Sequence, residues 1–196
     1  LGDSNSQPTS DTQSGTGYAA RLSSEFKGIG SLGKLAAGNI FTGVYVRTDG
    51  TNGILNFGRE FSARPTRLRA MFKYNSAPVS HVGSDARFAD WKGRPDTAQV
   101  YIALTDWPAP YEIRTNPRNQ QLFNLADPHV IAYGSFSCGE TVADWTPLSV
   151  NLEYRSTSRV PRYILIVCTA SKYGDYFVGG AGSVLTIDDL VLEYDY

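Results

Sequence analysis

Two-residue alternation governs the middle of this chain. In residues 67–74, Leu68, Ala70, Phe72 and Tyr74 form an apolar face, while Arg67, Arg69 and Lys73 point the other way. Successive side chains of a strand leave on opposite faces, so this period marks a half-buried strand and excludes an amphipathic helix. The rhythm returns in Ala98, Val100, Ile102 and Leu104, with Gln99, Tyr101 and Ala103 opposite. It returns again in Leu148, Val150, Leu152 and Tyr154, with Ser149, Asn151, Glu153 and Arg155 opposite. Antiparallel sheets with one solvated face have this signature.

Residues 18–23, 40–47, 130–137, 162–170 and 184–194 read as strands buried on both sides or nearly so. With the short run 53–57 they make roughly nine turn-bounded strands. The best helical candidate, residues 31–37, is under three turns. Twelve Tyr, nine Phe, 19 Gly and a single Met fit β structure. The expectation is an all-β jelly-roll sandwich, one domain over residues 17–196, after a polar loop-like or disordered segment at residues 1–16. With 41% hydrophobic and 19% charged residues, the 196-residue chain has material for one substantial core and is not a disordered chain. The connection 105–127, carrying Pro108, Pro110, Asn116 and Pro117, is the expected excursion from regular structure.

Composition narrows function as well. Lys+Arg total 18 against Asp+Glu 19, which leaves no cationic surplus for a phosphate backbone, so nucleic acid is not an expected partner. The longest apolar run is Tyr163 to Cys168, against about 20 residues for a bilayer span. Only His81 and His129 are available as imidazole ligands, and no zinc spacing, GxSxG elbow or phosphate-binding loop occurs. Glycoside hydrolysis needs two carboxyls across one cleft, yet no strand carries alternating acids. Glu153 reads as a solvated strand residue, and a hydrolytic role would require an acid from a facing strand or from the loop holding Glu140 and Asp144. Cys138 and Cys168 permit one disulfide, although Cys168, inside an apolar run, reads as a buried small hydrophobe.

Sugar rings present apolar C–H faces and peripheral hydroxyls, so a binding site needs aromatic platforms beside planar polar groups. Three loop aromatics qualify: Trp91 flanked by Asp90 and Arg94, Trp107 beside Asp106, and Tyr173 close to Asp175. A loop Trp equally well folds down as a plug over the sandwich rim, and Trp145 reads as core. The outward positions supply a second candidate surface, with Arg67, Arg69 and Lys73, then Gln99 and Tyr101, then Asn151, Glu153 and Arg155.

Several blocks occur in a recognisable order: Leu35-Ala36-Ala37-Gly38-Asn39-Ile40-Phe41-Thr42-Gly43, Arg64-Pro65-Thr66-Arg67-Leu68, Phe72-Lys73-Tyr74, Pro95-Asp96, Ile131-Ala132-Tyr133-Gly134, and residues 171–194, which end in Leu185-Thr186-Ile187-Asp188-Asp189-Leu190. Over residues 17–194 this order resembles the putative carbohydrate-metabolism domain family of Gram-negative gut bacteria. The resemblance implies a galactose-binding-like or carbohydrate-binding-module-like jelly roll attached to other domains of a parent protein. It implies a polysaccharide or oligosaccharide as partner and a place at the cell surface, as an outer-membrane lipoprotein, or in the periplasm. Membrane contact would run only through an anchor outside this chain, and a start at Leu1 rather than Met is what a processed piece of a longer precursor would show. No catalytic constellation and no required cofactor come with the family, but related modules hold a structural calcium, for which Asp188 or Asp189 would be ligands. The family's N-terminal strand carries a Trp, and residues 1–16 contain no aromatic.

Overall fold

A computed structural model describes residues 4–28, 33–49 and 52–195. Two antiparallel sheets face each other. The front sheet has the order β1 (Ser6–Thr9), β2 (Ala19–Ser23), β18 (Val184–Glu193), β9 (Arg67–Asn75) and β14 (Val142–Asn151). The back sheet runs β15 (Glu153–Tyr154), β13 (Val130–Cys138), β11 (Ala98–Thr105), β16 (Tyr163–Thr169) and β5 (Asn39–Phe41), with β8 (Arg59–Glu60) pairing further along β16. The chain passes repeatedly between the two, so neighbours in space are distant in sequence, as in a jelly roll.

The predicted alternation builds the core. Leu68, Ala70, Phe72 and Tyr74 of β9 meet Val100, Ile102 and Leu104 of β11 across the interior, joined by Leu148, Val150, Leu185 and Ile187. Both cysteines are free. Cys168 is 1% exposed among these residues, and burial pushes its thiol up to about 12, the behaviour of a packing residue.

A second apolar layer covers part of the back sheet's outer face. Here β12 (Tyr111–Arg114), β7 (Asn52–Phe57) and β6 (Gly43–Asp49) form a three-stranded sheet. Phe57, Ile113 and Trp107 from this layer pack on Ala103, Tyr163, Leu165 and Val167. Two ribbons finish the fold, β3 (Glu25–Lys27) with β4 (Lys34–Ala36), and β10 (His81–Val82) with β17 (Val178–Gly179).

The structure departs from expectation in several places: the described residues form eighteen strands rather than roughly nine, and the connection 105–127 contains β12 instead of leaving regular structure throughout. Ser6–Thr9 is not loop: it pairs with residues 19–22 of β2 as an edge strand. A polar edge strand needs no apolar alternation, because backbone pairing and one shielded face suffice to hold it, and no Trp is needed there. Within the helical candidate 31–37, Ser31 and Leu32 lie outside the described residues, and Lys34–Ala36 is strand. The run 40–47 is split at Thr42 into β5 and β6, which join different sheets. Thr42 fills the resulting gap beside β16: its hydroxyl donates to Ile164 O at 3.0 Å and accepts from Ile166 N at 2.8 Å, and its own N–H reaches Ile166 O at 2.9 Å.

Candidate functional site

The second layer leaves part of the back sheet uncovered, and there a groove of about 840 Å³ opens. Its floor is the outward register of the sheet, with Gln99 and Tyr101 of β11, Tyr133 of β13, and Val167 and Thr169 of β16. Tyr45 and Leu55 of the small sheet, the β3–β4 ribbon, the loop 115–125 and the loop 172–177 form its walls.

Aromatic rings dominate one end. Phe123 from the long connection lies nearly parallel to Tyr101, centroids 5.5 Å apart at 14°, and to Tyr133, 6.4 Å apart at 24°. Proline and asparagine turns carry this connection away from the sheet, and Leu122 and Phe123 return it as side chains rather than as backbone. Polar groups lie alongside. Gln99 makes no side-chain hydrogen bond among the described residues, so its carboxamide faces the groove uncommitted.

The loop 172–177 supplies the opposite wall. Gly174 begins a single 3-10 turn that Phe177 ends in the left-handed region at φ 59, a conformation that costs a bulky residue about 1 kcal/mol or more. Gly174 also abuts Ala37 so closely that an added Cβ would lie 2.3 Å from the Ala37 Cβ. Behind the loop, Phe88, Trp91, Tyr173 and Tyr176 pack on Val178 and Val79 in a separate cluster. Beneath it Asp96, 3% exposed, is the anchor. Asp96 Oδ2 accepts from Gly180 N at 2.7 Å and from Ser171 Oγ at 2.5 Å, Oδ1 accepts from Thr97 N at 2.8 Å, and Ser171 Oγ meets Ser24 Oγ at 2.6 Å. Burial raises the Asp96 carboxyl above its usual range, against the pull of these donors.

Asp175 is the one acid lining the groove among the described residues. Its surface stays open to the groove's water, yet protein surrounds it closely, and this burial raises its carboxyl above the usual range. Its carboxylate accepts no hydrogen bond among the described residues, and the half-buried Tyr101 phenol is raised far above its usual range, chiefly by desolvation and further by the Asp175 charge.

Of the loop aromatics and their polar neighbours singled out in the sequence, Asp175 alone enters this groove. Trp107 is 2% exposed: Tyr111 stacks on it at 5.0 Å, and its indole N–H donates to Asp127 Oδ2 at 2.9 Å, so the plug reading replaces the exposed platform. Asp106 holds loops together, accepting from His129 Nδ1 at 2.8 Å and from Arg159 Nη1 at 3.1 Å. Trp91 and Tyr173 do meet, edge to face at 4.9 Å, but behind the 172–177 loop. There Asp90 and Arg94 pair with each other at 2.6 Å, and the Arg94 guanidinium lies 5.4 Å from the Trp91 ring centre. Trp145 is half-buried on the front sheet's outer face, its ring 4.9 Å from the Lys73 ammonium.

The second candidate surface divides. Gln99 and Tyr101 floor the groove, whereas Arg67, Arg69 and Lys73 lie on the far side of the molecule, engaged by Glu193 and Asp11. Glu153 sits on the back sheet's edge strand opposite Tyr133, exposed and outside the groove lining, with Glu140 and Asp144 exposed elsewhere. The proposed calcium ligands do not converge. Asp188 accepts from Gln13 N and from Asp189 N, while Asp189 occupies a β-bulge at φ 50. Among the described residues no three His, Cys, Asp or Glu side chains gather in a metal-holding group.

Sequence reasoning missed Phe123, Tyr133 and the three lysines of the walls, Lys27, Lys34 and Lys172. One signal was present: β16 is apolar on both faces, which requires a second layer outside the sandwich and therefore a boundary where that layer ends.

Residues 3–193 match the family model described as "Putative carbohydrate metabolism domain". Among solved structures, the fold matches a putative glycoside hydrolase from Bacteroides thetaiotaomicron with a TM-score of 0.72 at 20% identity, covering 98% of this chain and 57% of that one. It also matches a putative glycoside hydrolase from Bacteroides vulgatus with a TM-score of 0.69 at 21% identity, covering 96% of this chain and 77% of that one. The chain thus spans little more than half of the first of these proteins. No curated protein sequence matches it.

Proposed function

The chain belongs to the putative carbohydrate metabolism domain family, and from that premise we propose that it is a non-catalytic glycan-binding module whose site is the groove over Tyr101 and Tyr133. One observation carries the reading. An open groove combines aromatic rings with uncommitted polar groups, Gln99 foremost, and contains a single carboxyl among its described lining residues. Sugar rings stack on such faces, and their hydroxyls exchange hydrogen bonds with planar amides. Trp91, Tyr173, Asp90 and Arg94 act from behind, holding the 172–177 wall in place. On this reading the module works at the cell surface or in the periplasm, attached to the rest of a parent protein.

Affinity electrophoresis through gels containing soluble polysaccharides tests this. The chain is expected to be retarded by at least one polysaccharide, and Phe123→Ala or Tyr133→Ala to weaken binding about two- to tenfold, the worth of one aromatic contact. Migration unchanged across a broad panel, or variants that bind as the wild type does, would overturn the proposal.

Asp175 favours a second reading, since a carboxyl held above its usual range in a cleft suits a general acid. Hydrolysis requires a partner carboxyl about 5 to 9.5 Å away, and the described lining residues provide none. Reducing-sugar release that Asp175→Asn abolishes would put hydrolysis in place of binding.

A further inference from the structure

Three lysines border the groove, Lys27, Lys34 and Lys172, and Asp175 is the acid set against them. The whole chain carries a net charge of -1, so this local excess does not follow from composition. Elsewhere several cations are met by carboxylates, Arg67 and Arg69 by Glu193, Lys73 by Asp11, Arg87 by Asp85 and Arg114 by Glu112, and others, such as Arg64 and Arg155, by backbone carbonyls. Within the groove Lys27 pairs with a carboxylate, Glu25 at 2.6 Å.

Lys34 and Lys172 do not. The Lys34 ammonium donates to Asn52 Oδ1 at 3.0 Å and lies 4.6 Å from the centre of the Phe177 ring. Lys172 reaches Ser137 Oγ at 3.4 Å and lies 5.7 Å from the Tyr173 ring centre. All these partners are neutral, and neither lysine forms an ion pair among the described residues. Each ammonium has three donors, so each keeps donors for a ligand. The two come from different walls, the β3–β4 ribbon and the 172–177 loop, and both line the groove. A neutral sugar would leave both charges uncompensated as the groove loses water, whereas an anion on the sugar would compensate them.

We propose that the groove's ligand is an acidic polysaccharide, one bearing carboxylate or sulfate groups on its rings, with Lys172 and Lys34 as the counter-charges. This rests on the glycan-binding reading above and adds the ligand's charge to it. The anion is met by these ammoniums, and the sugar rings that carry it lie toward Tyr101 and Tyr133. Lysine presents a point charge that suits either anion, so the two must be separated by ligand rather than by geometry.

Binding of the purified chain to polygalacturonate, to fully methyl-esterified polygalacturonate, to dextran sulfate and to neutral galactomannan tests the proposal. Esterification keeps the backbone and removes the charge. Binding to polygalacturonate with loss on esterification assigns a carboxylate ligand, and binding to dextran sulfate alone assigns a sulfated one. In either case Lys172→Gln is expected to weaken binding about tenfold, the worth of one charge-assisted hydrogen bond. Lys172→Arg is expected to restore most of the affinity, and raised salt to weaken the wild type more than Lys172→Gln. Arg69→Gln, on the far side of the molecule, removes the same charge and is expected to change nothing; an equal loss there would reveal non-specific ion exchange and overturn the proposal. Binding to galactomannan or to the ester as strong as to the acids would overturn the acidic ligand and leave glycan binding standing. Binding to none of these, nor to a broader neutral panel, would overturn both.

Discussion

On the front sheet the outward positions of β9 are Arg67, Arg69, Met71 and Lys73; on the back sheet those of β16 are Tyr163, Leu165, Val167 and Thr169. Both strands turn an apolar register to the same core, and their second registers meet opposite fates. The β9 face ends at water as a lattice of ion pairs with Glu193 and Asp11, whose carboxyl Lys73 holds below its usual range. The β16 face cannot end at water without exposing a row of large apolar groups, so it recruits the small sheet and the long connection, and the groove is what remains uncovered. A strand's outer register thus decides whether a sandwich face is merely wet or becomes architecture.

The sharpest way to break this contrast is Trp107→Ala. It removes the centre of the second layer and should cost about 3–5 kcal/mol in urea denaturation, with loss of groove binding. A loss below about 1 kcal/mol would mean that the second layer is ornamental.

Asp96→Asn comes next. All its protein partners are donors, so an amide NH2 would oppose at least one of them, at a cost of about 1–3 kcal/mol. The sign with pH follows from burial. The folded-state carboxyl is raised above its ordinary 3.8, so folding retains a proton that the unfolded chain gives up. Its contribution to stability is full below 3.8 and is lost as pH rises through the raised value. The stability gap between wild type and Asp96→Asn should therefore be largest in acid and narrow on the way to neutrality. A gap constant with pH would show that Asp96 titrates alike in both states.

The smallest effect belongs to the front face. Arg69→Ala, at an exposed ion pair, should change stability by no more than about 0.5 kcal/mol and leave glycan binding untouched.

Much of this contrast was readable before any coordinates. Alternation in residues 67–74 identified a strand with one solvated face, and the apolar run Tyr163 to Cys168 within 162–170 identified a strand covered on both. The groove itself was not readable, because its parts are brought together by loops. Phe123 lies in a proline-interrupted connection with no period to follow, Lys34 in a three-residue strand too short to show one, and Tyr133 in a run where either register is apolar enough to face the core. Trp91 and Trp107 stood out by size, and size is what tucks Trp91 partly and Trp107 fully into the protein: large rings are what loop layers use to hold themselves down.

Thr42 has a consequence for how such modules live side by side. By bridging the gap along β16 between β5 and β8, it leaves that margin of the back sheet only strands of three and two residues for an incoming strand. The opposite margin, β15, is two residues long and carries Glu153, which discourages the same approach. The Thr42 margin therefore offers another copy only short strands to pair with, and a single hydroxyl, placed where one strand hands over to the next, does part of that work.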